Sequence, residues 1–121
     1  MWPDYFFEIF GLHRREGSME KIEIPTGYEI LQHHLDSSLD QAARGKGKIR
    51  HAQHTQPFDE QIICTIGRLL GSYDFEIGQA IKKIVEAKRI HKLNGPAQAK
   101  TELYGAINYL VAACIILDEM E

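Results

Sequence analysis

Hydrophobic residues recur at three- and four-residue spacing along most of the chain, and this pattern predicts α-helices. A short extended stretch at 21–25 comes first, and Pro25 prevents a helix from continuing through it. The first predicted helix begins near Thr26, where Glu29 is placed for a capping box, and fades at Gly45. Its single apolar stripe consists of Tyr28, Leu31, Leu35, Leu39 and Ala42.

Two further helices are predicted before residue 94. The second begins at Pro57 and stops at Gly71, because proline suits a first helical turn and glycine a helix end. Its predicted buried face is formed by Phe58, Ile62, Ile63, Ile66, Leu69 and Leu70. Ser72 or Asp74 caps the third helix, which runs to about Leu93. The residues that pattern it are Ile77, Ala80, Ile81, Ile84, Val85 and Ala87.

The fourth predicted helix follows the break at Asn94-Gly95-Pro96 and runs to about Glu119. Its centre, AINYLVAACIIL, is apolar nearly all round, and such a helix must be surrounded by other elements. We therefore expect a central helix, or one shared with another subunit. The predicted fold is an all-α, four-helix bundle-like domain that forms a homo-oligomer through this helix.

The first 18 residues differ from the rest of the chain. They end in Gly17-Ser18 directly before Met19, as a cloning scar does before a native start, yet they are rich in aromatic residues. Two interpretations stay open: 1–18 is an appended tag, or it is a natural N-terminal helix. Residues 19–121 are predicted to form a single helical domain.

Composition favours a globular protein of the cytoplasm. The 121 residues carry a net charge of -3, so they lack the overall basic footprint of a dedicated nucleic-acid binder. Cys64 and Cys114 lie inside apolar runs, which predicts buried thiols in a reducing compartment. No secretory signal is visible, and the apolar run 106–117 is shorter than the roughly 20 residues of a membrane span.

The most distinctive polar segment is RGKGKIRH, which joins the first two predicted helices. Its glycines let backbone amides approach an anion, and the start of the next helix favours phosphate. The predicted phosphate-binding residues are Arg44, Lys46, Lys48, Arg50 and His51, with Lys83 of the third helix as a second basic wall. The alternative is that this segment is only a solvated basic loop, and it matches no Walker motif.

Tyr104 and Asn108 lie four residues apart, and therefore share one face of the fourth helix. They are candidate contacts for a base or ribose. The structural alternative is a hydrogen-bonded core asparagine, or a residue that sets the register of an interface.

The sequence gives less support to the hypotheses that the protein is an enzyme or that it binds a metal. MazG-type nucleotide pyrophosphatases hold magnesium with ExxE and ExxD pairs, but here Arg89 follows Glu86 and Gly105 follows Glu102 at that spacing. The histidines at 33, 34, 51 and 54 show no metal-binding motif. No catalytic residue, metal or cofactor is therefore predicted.

The stretches PFDEQIICTIGRLLG, GQAIKKIVEAKRI and ELYGAINYLVAACIILDE resemble a group of short proteins from bacteriophages and prophages. The resemblance covers roughly 31–119 and implies a viral protein made in the bacterial cytoplasm, with no activity attached. Several small helical phage proteins sequester nucleotide signals of host immunity, which suggests the same role here by analogy of origin and size. The alternatives are a module that inhibits a host enzyme, a degenerate MazG-like pyrophosphatase and, less favoured, a nucleic-acid binder.

Overall fold

The computed structural model describes residues 14–15, 18–19, 23–44 and 56–120. Within them the regular secondary structure is helical, apart from one short antiparallel pair formed by β1 (Arg14–Arg15) and β2 (Ser18–Met19). The other residues of the 1–18 segment lie outside the described part, so the choice between a tag and a helix stays open.

Four α-helices make up the described part of the chain: α1 (Glu29–Arg44), α2 (Ile62–Leu70), α3 (Asp74–Asn94) and α4 (Pro96–Glu119). A single 3-10 turn, Phe58–Glu60, precedes α2. The predicted all-α class is therefore confirmed.

The first helix begins later than predicted. Gly27 has a φ of 97°, and the Tyr28 amide donates to the Pro25 carbonyl at 3.2 Å, so the chain turns here before the helix starts. The Glu29 carboxylate accepts a hydrogen bond from the Gly27 amide at 3.0 Å, two residues back. The predicted capping box with Thr26 as the N-cap is wrong, because the helix begins only at Glu29 and the turn places the Gly27 amide within reach of the Glu29 carboxylate.

The ends of the later helices follow the sequence signals more closely. Gly71 adopts a left-handed φ of 66° and ends α2, and the Ser72 hydroxyl accepts a hydrogen bond from the Asp74 amide at 3.0 Å. Gly95 has a φ of 92° between α3 and α4, and Pro96 opens α4. The start of the second helix is predicted less accurately. Pro57 leads into the 3-10 turn, and the α-helix itself begins at Ile62.

Helix α4 is the central element, because it contacts α1, α2 and α3. The core around it consists mostly of small side chains, which let the helices approach closely. Its members are Ile63, Cys64, Ala80, Ala106, Tyr109, Ala112 and Ile116.

Many large hydrophobic side chains remain exposed, and this overturns part of the predicted core. In α2 only the side that carries Ile63, Cys64 and Gly67 is buried, whereas Ile62, Leu69 and Leu70 are exposed. The helix is nine residues long and packs through one side only. Four members of the α1 stripe, Tyr28, Leu31, Leu35 and Leu39, are exposed as well. The prediction of two buried thiols is correct for Cys64 and wrong for Cys114, which is exposed.

One helix of the described part, α4, is long and apolar enough to cross a membrane by length and composition alone. A central helix of a small helical domain passes the same test. Packing of α4 against three other helices accounts for the apolar residues on its buried sides, which make up about 33% of the apolar window.

Candidate functional site

A row of polar side chains joins α1 to α4, and we call it the polar seam. Residues at positions 34, 38 and 41 share one side of α1 because they follow the three- and four-residue helical repeat. They face α4 at Thr101, Tyr104 and Asn108. The two helices therefore meet through hydrogen bonds where an apolar contact would be usual.

Ser38 and Asn108 form the most complete pair in the polar seam. The Ser38 hydroxyl lies 3.0 Å from the Asn108 Oδ1 atom, and the Asn108 Nδ2 group donates to the Ser38 carbonyl at 3.1 Å. Ser38 is buried, and its hydroxyl also lies 3.1 Å from the Tyr104 carbonyl oxygen. Both ends of the Asn108 amide are engaged, as expected for an asparagine that fixes the register of two helices.

Two further contacts extend the polar seam along the helices. The Tyr104 hydroxyl and His34 Nδ1 are 2.5 Å apart, and their rings lie 5.8 Å from centre to centre. Towards the other end, Gln41 Nε2 donates to the Thr101 carbonyl at 3.1 Å. The Tyr104 ring is thereby held at a defined position on the α1 side of α4.

A groove of about 590 Å³ runs beside the polar seam along the outer side of α1. It contains one guanidinium group, two carboxylates, an imidazole, a hydroxyl, an amide and an aromatic ring. The lining residues are His33, Asp36, Ser37, Leu39, Asp40, Gln41, Arg44 and Tyr104. We call it the α1 groove.

The charges of the α1 groove are only loosely fixed. Arg44 Nη1 lies 2.5 Å from Asp40 Oδ1, but 75% of the Arg44 side chain and 64% of the Asp40 side chain are exposed. An exposed pair of this kind, one helical turn apart, stabilises a helix by only about 0.3–0.5 kcal/mol. Asp36 accepts a hydrogen bond from Gln32 at 2.6 Å, also at the surface. The Arg44 guanidinium has five donors, and one short contact to Asp40 leaves capacity for an incoming anion.

Lys83 approaches the same region from α3. Its Nζ lies 3.2 Å from Glu102 Oε2, and both side chains are about one fifth exposed. The aliphatic part of Lys83 crosses Gly105, where an added Cβ would be 3.1 Å from Lys83 Cδ and 3.5 Å from Gln41 Nε2. Helices α1, α3 and α4 therefore meet at Gly105, and the Lys83 ammonium is already paired there.

The structure brings some of the predicted site residues together. Arg44 and Tyr104 both line the α1 groove, whereas Asn108 lies in the polar seam and Lys83 lies at the junction with α3. The remaining predicted phosphate-binding residues lie outside the described residues. They are Lys46, Lys48, Arg50 and His51.

Sequence reasoning did not identify His34, Ser38 or Gln41 as partners of α4. A signal was present, since these three polar residues share one side of the first helix at helical spacing. That spacing was outweighed by the apolar stripe on the neighbouring side, which normally marks the buried face of a helix.

Metal-binding capacity is limited in the part of the chain that the structure describes. No group of three or more histidine, cysteine or acidic side chains converges there. Asp36 and Asp40 lie one helical turn apart in the α1 groove and supply two carboxylates. Two carboxylates suit Mg²⁺ when a bound phosphate supplies further oxygen ligands.

We expect the hydrogen bond between His34 and Tyr104 to stabilise the folded chain. Tyr104→Phe removes the hydroxyl and leaves a partly buried imidazole nitrogen without its partner, so we expect a loss of about 0.5–1.5 kcal/mol. Urea denaturation followed by circular dichroism measures the change. Tyr73→Phe is the matched control, because Tyr73 packs partly buried against the core elsewhere. Equal effects of the two substitutions would show that the hydrogen bond contributes no stability of its own.

Comparison of the chain with protein-family models, curated protein sequences and solved structures gives no match.

Proposed function

We propose that the chain is a non-enzymatic binding protein for a phosphate-containing nucleotide, held at the α1 groove. The bacteriophage resemblance extends this proposal to a protein of the bacterial cytoplasm that sequesters a nucleotide signal of host immunity. In this proposal each chain is a four-helix bundle-like subunit of a homo-oligomer. The placement of Arg44 and Tyr104 on one groove carries the proposal.

Arginine and tyrosine are well matched to the two parts of a nucleotide. A guanidinium group binds phosphate oxygens through paired hydrogen bonds, and an aromatic ring stacks on a base. Arg44 is also the last residue of α1, and the sequence continues directly into GKGKIR with Lys46, Lys48 and Arg50. In sequence, Arg44 of the described groove therefore directly precedes the most basic segment of the chain.

The two carboxylates of the α1 groove determine the conditions under which nucleotide binding should be measured. Asp36 and Asp40 oppose a bare phosphate, unless Arg44 and the following basic residues outweigh them or a cation neutralises them. Binding should therefore be measured with and without Mg²⁺. Mass spectrometry of the recovered ligand then separates sequestration from pyrophosphate release, the outcome expected of a degenerate MazG-like pyrophosphatase.

Substitution of Arg44 is the sharpest test of this site. We expect Arg44→Ala to weaken binding of the best nucleotide from a panel of linear and cyclic forms by roughly 10- to 100-fold, since charge-assisted hydrogen bonds contribute about 1.5–3 kcal/mol. Stability should change little, because the Arg44–Asp40 pair is exposed. Calorimetric titration measures the affinity.

Arg89→Ala supplies the matched control for charge. Arg89 is an exposed arginine of α3 that does not line the α1 groove. If both substitutions reduce affinity equally, only the net charge matters and the site has been placed wrongly. If no nucleotide binds to the unaltered protein with or without Mg²⁺, the proposed function itself fails.

The oligomer part of the proposal rests on the outer side of α4. A row of apolar residues there follows the alternating four- and three-residue spacing of a coiled-coil seam. The row consists of Leu103, Ile107, Leu110, Cys114 and Leu117, and we call it the α4 seam. Leu103, Leu110 and Leu117 are between 41% and 47% exposed, and Cys114 is exposed. Burial in a subunit interface would remove this apolar surface from water.

A protein-interaction module is the second candidate, and the exposed apolar surface favours it. In the described part of the chain, 18 large hydrophobic side chains are exposed, including Leu69 of α2 at 81%. Exposed apolar side chains mark an interaction site where they form a contiguous patch. Specific co-purification of a bacterial enzyme, its inhibition by the purified chain, and no nucleotide binding would favour this function over the first.

A further inference from the structure

The most unusual buried group in the described part of the chain is the Glu76 carboxylate. Glu76 lies in the first turn of α3, and its residue exposure is 0%. Neither Oε1 nor Oε2 has a hydrogen-bond partner of normal geometry, and only the backbone amides of Glu76 and Gly67 act on the carboxylate. Buried polar groups normally have one, so these two oxygens require an explanation.

The carboxylate lies at the junction of α2, α3 and α4. A Cβ atom added to Gly67 of α2 would be 2.8 Å from both Glu76 oxygens and 2.9 Å from Ile116 Cγ1 of α4. The lack of a side chain at Gly67 therefore creates the space that the carboxylate occupies. Any motion of α2 away from α3 and α4 would open this space to water.

The charged neighbours do not neutralise an ionised Glu76. The Arg68 side chain of α2 is engaged by Glu119 of α4, with paired contacts of 2.7 and 2.8 Å. The Cys64 thiol of α2 interacts electrostatically with Glu76, and the Asp59 carboxylate of the 3-10 turn acts on the same thiol. Burial raises the pKa of the Cys64 thiol to about 11, so this thiol stays uncharged as well. Removing a lone carboxylate charge from water costs several kcal/mol even after relaxation.

The pKa of Glu76 is shifted in the direction that this geometry requires. Burial raises the pKa, and the backbone amides of Glu76 and Gly67 oppose the rise only in part. The protonated form is thus the one suited to the closed junction. The ionised form is stabilised when the carboxylate reaches water.

We propose that Glu76 is a proton-operated latch, in which the protonated carboxyl holds α2 against α3 and α4 and the ionised carboxylate releases α2. The latch is independent of the α1 groove and of the nucleotide proposed for it.

The sign of the pH dependence follows from proton binding. With α2 closed, Glu76 keeps its proton to a higher pH than in the open chain, where its pKa is about 4.3. The closed state is therefore favoured fully below that value. Its advantage falls by up to tenfold per pH unit as pH rises towards the Glu76 pKa of the closed state, and is constant above it.

Hydrogen exchange across α2, measured between pH 4 and 8, tests the latch. After correction for the intrinsic pH dependence of exchange, the α2 amides of the unaltered protein should open more often as pH rises. Glu76→Gln mimics the protonated carboxyl and should remove this increase. An equal increase in Glu76→Gln, or a flat profile in both proteins, overturns the proposal.

Glu119→Gln provides the matched control with the opposite sign. The hydrogen bond from Arg68 lowers the pKa of Glu119, so its contribution is present at higher pH and is lost as pH falls. We expect Glu119→Gln to weaken α2 attachment mainly above the ordinary glutamate pKa of about 4.3. If Glu76→Gln fails to fold, the pH profile of the unaltered protein compared with Glu119→Gln still decides, because only an operating latch makes opening increase with pH in both.

Discussion

Gly67→Ala is expected to destabilise the chain by about 1–3 kcal/mol, the usual cost of overpacking a closely packed site. The added methyl would lie 2.8 Å from both Glu76 carboxylate oxygens and 2.9 Å from Ile116 Cγ1. The end of a glutamate side chain can normally move aside at little cost. Here it is fully buried, so it must leave the junction of three helices to make room.

Gly78→Ala is the matched control, because Gly78 also lies inside a helix but has no atom within 4 Å of an added Cβ. Alanine there should stabilise the chain by about 0.5–1 kcal/mol, since glycine is a poor helix former. Urea denaturation at one fixed protein concentration measures both effects. If Gly67→Ala were as stable as Gly78→Ala, the close packing of Glu76 on Gly67 would be disproved.

A double substitution identifies the cause of the destabilisation. Glu76→Ala removes both oxygens that the new methyl would meet, so Gly67→Ala should cost less in that background than in the unaltered chain. Residues in direct contact show interaction energies of about 0.5–3 kcal/mol in such cycles. Strict additivity would instead assign the whole cost to Ile116.

The all-α class and most helix ends could be predicted from local chemistry. Gly71, Gly95 and Pro96 act through their own backbone geometry, so their roles are readable without knowledge of the partners in space. The start of α1 was less predictable. It depends on a turn at Gly27 that selects which amide reaches Glu29.

The buried surface could not be predicted because periodicity identifies an apolar face but does not say what covers it. On α1 the apolar stripe with Leu31, Leu35 and Leu39 is exposed, while Ser38 on the neighbouring side is buried against α4. The sequence supplied both candidate faces. Only the packing of α4 shows which of them is used within one chain.

The candidate site was predictable only in part for a similar reason. Arg44 and Tyr104 are 60 residues apart in sequence, and their presence on one groove follows from how α1 lies along α4. Nothing in the sequence indicated that Glu76 would be buried. A glutamate in a first helical turn normally faces solvent and favours the helix dipole, and its burial depends on a glycine nine residues earlier.

Leu110→Glu is expected to weaken self-association by at least about 100-fold, which corresponds to roughly 2.7 kcal/mol. Leu110 occupies the middle of the α4 seam and is 43% exposed. A carboxylate at this position would have to be removed from water in every subunit of the proposed oligomer, at a cost of several kcal/mol per charge. Sedimentation velocity over a range of protein concentrations measures the change.

Val111→Glu provides a closely matched control for the α4 seam. Val111 is the next residue, is 41% exposed and receives the same charge, but it lies outside the coiled-coil spacing. It should leave self-association nearly unchanged. An unaltered protein that stays monomeric at micromolar concentration would disprove the oligomer. Equal effects of the two substitutions would place the contact elsewhere on α4.

The same pair of variants tests whether the α1 groove depends on a neighbouring subunit. Leu103 of the α4 seam directly precedes Tyr104, so a subunit packed on the seam would lie beside the groove. If Leu110→Glu reduces nucleotide affinity together with self-association while Val111→Glu preserves both, the complete site lies at the subunit interface. If the monomeric variant binds the nucleotide with unchanged affinity, Arg44 and the basic residues that follow it form the site within one chain.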